Sequence, residues 1–111
     1  MMLVTGPAFS GKRTFVKKYF SWDEDALAGN AYLEAQELVT SDEDLPALAE
    51  RLSSLPVVTM SEVGGGIVPA DPNERLFRER AGRLACLLAE RADVVVRLCC
   101  GIPEVLKGEL S

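Results

Sequence analysis

The sequence predicts an α/β domain in which a mainly parallel sheet is covered by helices. Short, almost wholly apolar runs alternate with segments of helical period, the pattern of a sheet buried on both faces. The first of those runs leads directly into a glycine-rich loop of the kind that cradles phosphate. At 111 residues the chain suits one compact domain, residues 1–111, with a single core. Hydrophobic residues at 48% and charged residues at 26% exclude a disordered segment.

Met2-Leu3-Val4-Thr5, ended by Gly6, reads as a buried strand, and Thr14 to about Phe20 as a short helix. Ser21-Trp22-Asp23-Glu24-Asp25 interrupts the apolar pattern. Residues 26–40 support two readings, because Ala31-Tyr32-Leu33 suits a strand while Leu33, Glu34, Glu37 and Leu38 suit a helix. Leu45, Leu48, Leu52 and Leu55 then mark a helix, with Asp42, Glu43 and Asp44 at its positive end and Pro46 in its first turn. Pro56-Val57-Val58-Thr59-Met60 is a second strand, followed by Glu62-Val63 and Gly64-Gly65-Gly66. Asp71-Pro72-Asn73-Glu74 starts a helix as cap, first-turn proline and capping-box acid. Phe77, Ala81, Leu84 and Leu88 form its apolar stripe as far as Ala92. Val94-Val95-Val96 is a third strand, closed by Gly101-Ile102-Pro103.

Charge and cysteine content narrow the function. A net charge of −5 disfavours nucleic acid as partner, since no excess of cations can displace counterions from its phosphates. Residues 1–22, with Lys12, Arg13, Lys17 and Lys18 and no acid, hold +4 and leave −9 to the rest. A positive end on an acidic body suits a compact anion such as a nucleotide phosphate, although Lys17 and Lys18 also fit a solvated helix face. No apolar stretch approaches a membrane span, and the apolar start is too short for a signal peptide. Cys86, Cys99 and Cys100 show no pairing or metal spacing, and the chain has no histidine. Partly buried, reduced thiols of a cytoplasmic protein are expected.

Gly6-Pro7-Ala8-Phe9-Ser10-Gly11-Lys12 fits GxxxxGK between a strand and a helix. Gly6 and Gly11 let successive N–H groups turn inward around an anion, Lys12 reaches terminal phosphates, and the helix N-terminus faces the negative charge. Nucleotide contacts are therefore expected from Gly6, Pro7, Ala8, Phe9, Ser10, Gly11, Lys12, Arg13 and Thr14, with a tight turn that binds nothing as the alternative. The position after the lysine ordinarily supplies a hydroxyl for Mg²⁺. Here it is Arg13, and Thr14 is rotated by about 100° on the helix. Binding tolerates that change better than catalysis does.

Met2-Leu3-Val4-Thr5-Gly6, Ser10-Gly11-Lys12 and above all Glu62-Val63-Gly64-Gly65-Gly66-Ile67-Val68-Pro69 resemble the adenosylcobinamide kinase / adenosylcobinamide-phosphate guanylyltransferase family of cobalamin biosynthesis. The likeness continues through Arg75, Phe77-Arg78-Glu79, Gly82-Arg83 and Ala92-Asp93-Val94 to Gly101-Ile102-Pro103 and Leu106-Lys107-Gly108. It implies a RecA-like phosphate-loop fold, often oligomeric. It also implies ATP or GTP as phosphate donor and a corrinoid, cobinamide, as acceptor. Lys12 would lie on the phosphates and Glu62 near metal or substrate, both as catalytic candidates. The family's second activity passes through a guanylyl-histidine, which this chain cannot form. The chain is also short between the first helix and residue 44, Phe9 stands where the family usually has arginine, and Ala85 where it has asparagine.

Glu62 is a candidate Mg²⁺ ligand, since α/β folds bind ligands at the carboxyl ends of strands; a solvated loop carboxylate is the alternative. Glu34 either matches the acid ending the family's Walker-B-like strand or lies on a helix surface. The arginines of 75–91 alternate with acids as on a solvated face, with Arg75 and Arg78 the two that suit phosphate or subunit contacts. Two functions therefore stand open: a kinase-like nucleotide-binding protein, or a non-catalytic nucleotide-binding or assembly protein.

Overall fold

The computed structural model describes residues 1–40, 44–62 and 71–111. In chain order the described elements are β1 (Met2–Gly6), α1 (Lys12–Phe20), α2 (Glu24–Asn30), β2 (Ala31–Tyr32), a 3-10 turn (Ala35–Leu38), α3 (Leu45–Leu52), β3 (Val57–Ser61), α4 (Pro72–Arg91), β4 (Val94–Cys99) and β5 (Ile102–Lys107). Gly64-Gly65-Gly66, the rest of the block to Pro69, and Asp42 and Glu43 lie outside the described residues.

The strands form one sheet in the order β2-β3-β1-β4-β5. β1 is central, parallel to β3 (Met2 beside Val57) and to β4 (Met2 beside Val94), while β2 pairs parallel with β3. The expected α/β architecture is the one observed: a mostly parallel sheet flanked by helices, with the glycine loop after its central strand.

Alternation along the strands builds the core on both faces. Leu3, Val58, Met60 and Val95 point toward α3 and α4, where Leu45, Leu48, Leu52, Leu84 and Leu88 meet them. Met2, Val4, Val57, Val96 and Leu98 point the other way, against Val16 of α1 and Leu27 of α2. Aspartates start three of the helices: Asp23, Asp44 and Asp71 accept from the backbone N–H of Ala26, Ala47 and Asn73 at 2.8, 3.1 and 2.8 Å. Among the described residues no helix is long and apolar enough to cross a membrane.

Several expectations need correction. β4 ends at Cys99, before Gly101 as expected, but Ile102 and Pro103 begin a further strand, β5, which pairs antiparallel with β4. Cys100 and Gly101 both take positive φ, 53° and 77°, as the tightest strand-to-strand turn requires. Pro103 is tolerated because β5 is an edge strand. Helix α2 falls where the apolar pattern breaks, capped by Asp23 and anchored through Leu27 alone. Helix α1 begins at Lys12, and α3 stops at Leu52, short of Leu55. Phe77 leaves the stripe of α4: Ala81, Leu84 and Leu88 are buried, but Phe77 is 36% exposed. All three thiols are exposed, Cys86 on the outer side of α4 and Cys99 and Cys100 at the β4–β5 turn.

Candidate functional site

The carboxyl ends of β1, β2, β3 and β4 lie along one edge of the sheet, and the chemistry-bearing side chains gather there. Gly6 leaves β1 with φ +150°, and a Cβ on it would fall 2.4 Å from the Leu98 carbonyl oxygen and 2.9 Å from Ser10 Oγ. Glycine is thus required both by conformation and by the space over the sheet. Gly11 caps α1 with φ 91° and contributes no side-chain hydrogen bond, so the first N–H groups of α1 remain available to an anion. Ser10 is buried, and its hydroxyl has no hydrogen-bond partner among the described residues.

Lys12 folds back inside this loop. Its side chain is only 3% exposed. The ammonium donates to the Pro7 carbonyl at 2.9 Å and lies 3.6 Å from Glu34 Oε1. A buried ammonium needs compensating acceptors, and these two supply them.

Glu34 is the acid the structure brings to the lysine. It sits beyond β2 with φ 61°, a left-handed conformation that costs a non-glycine residue energy. Its N–H donates to Thr59 Oγ1 at 2.9 Å, and Gln36 Nε2 donates to its Oε2 at 2.7 Å. Ser61 Oγ donates to the same oxygen, and Gln36 Oε1 accepts from the Ser61 N–H at 2.9 Å. Partial burial opposes ionisation of this carboxyl, but the bonds from Ser61 and Gln36 and the charge of Lys12 outweigh it and hold its pKa below the usual value.

Glu62 is engaged differently. Its N–H donates to the Gly6 carbonyl at 2.8 Å, which places it beside the start of the loop. Its carboxylate is gripped by Arg97 through Nε and Nη2, the latter at 3.1 Å. Arg13 also turns away from the loop and pairs, with Lys17, to the carboxylate of Glu24. Pro7, Ala8, Phe9 and Thr14 are exposed around the loop, and Arg75 is exposed on α4.

Four partners went unnoticed in the sequence: Gln36, Thr59, Ser61 and Arg97. Thr59 and Ser61 had a readable signal, since they are polar residues two apart at the end of an otherwise apolar strand.

Residues 23–106 match the family model described as cobinamide kinase / cobinamide phosphate guanyltransferase. The chain belongs to this family. The matched span begins after the glycine loop, so family membership and the loop are separate observations. A bifunctional adenosylcobalamin biosynthesis protein of Pseudomonas aeruginosa, CobP, is 37% identical over 71 residues, which cover 61% of this chain and 41% of that protein. The chain spans about two fifths of the length of this curated relative.

In this cobinamide kinase family member the loop fits a phosphate group. It offers the orphaned Ser10 hydroxyl, the uncapped α1 N-terminus and an ammonium whose bond to Pro7 can be exchanged for one to phosphate. Among the described residues no three His, Cys, Asp or Glu side chains converge. Mg²⁺ held mainly by substrate phosphates and water would need few protein ligands, and Glu34 is the acid beside Lys12.

Proposed function

We propose that the chain is one nucleotide-binding domain of the cytoplasm. It takes ATP or GTP on the glycine loop and acts as a cobinamide-kinase-like protein of cobalamin biosynthesis. Any activity is phosphoryl transfer to a corrinoid acceptor, and histidine-dependent guanylyl transfer is absent because the chain has no histidine. The observation that carries this reading is the buried Lys12 ammonium, held between the Pro7 carbonyl and Glu34 at the N-terminus of α1. Phosphoryl transfer is largely positioning and charge stabilisation, and this arrangement supplies a cation, backbone donors and one acid. The acid is Glu34 rather than Glu62, whose carboxylate is committed to Arg97.

A second reading, a nucleotide-binding protein without turnover, is favoured by one observation. Arg13 occupies the position of the metal-binding hydroxyl and is tied to Glu24. The first test is calorimetric titration with ATP and GTP, each with and without Mg²⁺. Wild type binds, and Lys12→Ala loses the binding heat; silence of the wild type at millimolar nucleotide would sink both readings. Arg13→Ser then separates them. Restoring the hydroxyl raises Mg²⁺-dependent turnover in a weakened kinase and leaves a binding protein inactive.

A further inference from the structure

A cavity of about 620 Å³ opens beside the glycine loop, walled by Phe9, Gly11, Phe15, Tyr19, Lys18 and Cys100. We propose that this cavity receives the purine base and ribose of the bound nucleotide, with Phe9 as the stacking face that closes over the base. The proposal deepens the nucleotide-binding reading above and rests on it.

Continuity is the first argument. Ser10 and Gly11 belong both to the phosphate loop and to the cavity wall, so a ligand with its phosphates on the loop has its remaining atoms directed here. Size is the second, because small-ligand sites enclose roughly 300–1,000 Å³. Surface chemistry is the third. Phe15 and Tyr19 form a stacked pair, centroids 5.8 Å apart and 22° between planes, on the α1 side. Among the described residues the lining contains Lys18 and no carboxylate, which suits an anionic ligand.

Phe9 is the decisive residue. It is 104% exposed, a phenyl ring surrounded by water at the rim of the cavity. Its φ of 60° is costly for a residue with a side chain, and the ring gains no burial in the fold to offset that cost. Leaving a phenyl group in water is unfavourable, and a flat base laid against it removes the touching face of each ring from solvent. Stacking of this kind tolerates either purine. The Gly101 N–H donates to the Ser10 carbonyl at 3.0 Å and so ties the β4–β5 turn, which carries Cys100 in the lining, to the loop.

Cys100 provides the test, because its exposed thiol lies in the cavity wall while Cys86 is exposed on α4 outside it. Alkylation by iodoacetamide is followed by mass spectrometry in the Cys99→Ser background, so that the adjacent thiols are not confused. Saturating ATP or GTP is expected to slow labelling of Cys100 about tenfold or more and to leave Cys86 unchanged. Inorganic tripolyphosphate, which has the phosphates without the base, is expected to leave Cys100 close to its free rate. In parallel, Phe9→Ala weakens nucleotide binding about tenfold with tripolyphosphate affinity unchanged, and Phe9→Trp retains it. Calorimetric binding of nucleotide with no protection of Cys100 would place the base elsewhere, overturning this inference and leaving the nucleotide-binding reading intact. Equal protection by tripolyphosphate would mean that the loop shields the thiol, and would overturn it as well. Absence of binding heat overturns both.

Discussion

At the scale of single residues, Glu34 does most to define the edge of the sheet. Its carboxylate joins Lys12, Ser61 and Gln36, and its N–H reaches Thr59, so one side chain organises β3, the 3-10 turn and the loop lysine. Because its folded-state pKa is depressed, the ionised form stabilises the native state. That contribution is fully present above the ordinary carboxylate pKa of 4.5 and is lost as pH falls through the lower folded value. Denaturant midpoints measured from pH 7 to pH 3 are expected to fall at the acid end, and Glu34→Gln to show a shallower fall than wild type. At neutral pH the substitution costs on the order of 1 kcal/mol, because hydrogen bonds to a charged group are replaced by neutral ones at a partly exposed site. Gly6→Ala acts through the backbone. Its methyl group would meet the Leu98 carbonyl at 2.4 Å, and a loss of about 2–3 kcal/mol in chemical denaturation is expected.

Among the elements, α4 separates two kinds of apolar residue that look alike in the sequence. Leu84 and Leu88 are fully buried against the sheet, whereas Phe77 is 36% exposed. Leu88→Ala is expected to cost about 2–5 kcal/mol and Phe77→Ala less than about 1 kcal/mol, compared by urea midpoints. The sequence reveals elements in proportion to how locally they are determined. β1, the loop and α1 are legible because the glycines, the lysine and the flanking apolar run lie within twenty residues. The start of α4 is legible because Asp71 and Pro72 are strong local signals. β5 is not, since its six residues are all exposed and it is a strand only by pairing with β4. α2 escapes because Leu27 alone anchors it, too little for a periodic stripe. Lys12 is legible from its motif. The cluster around Glu34 is not, because it joins residues 25 and 27 positions apart through tertiary pairing.

Across the whole molecule, the sheet order sets a gradient of stability. β1 lies between two parallel neighbours, and Val4, Val57, Val58 and Val96 are fully buried at the centre, whereas β2 has two residues and β5 forms an exposed edge. Native-state hydrogen exchange is expected to be slowest at the paired amides of β1, β3 and the β1-facing side of β4, and fastest among the strands at β2 and β5. The glycine loop springs from the most protected strand and is tied to the most exposed hairpin through Ser10 and Gly101.

The aromatic row on α1 has an optical consequence. Phe15 stacks on Tyr19, Tyr19 meets the edge of Phe20 at 4.8 Å, and Phe20 stacks on Trp22 at 4.4 Å. Trp22 is the sole tryptophan, so intrinsic emission excited at the red edge of protein absorbance comes from one half-buried indole at the end of that row. A ligand that presses on Phe15 and Tyr19 changes the surroundings of this fluorophore without touching it. The protein thus carries its own unlabelled reporter, readable by titration at micromolar concentration, for the space next to its glycine loop.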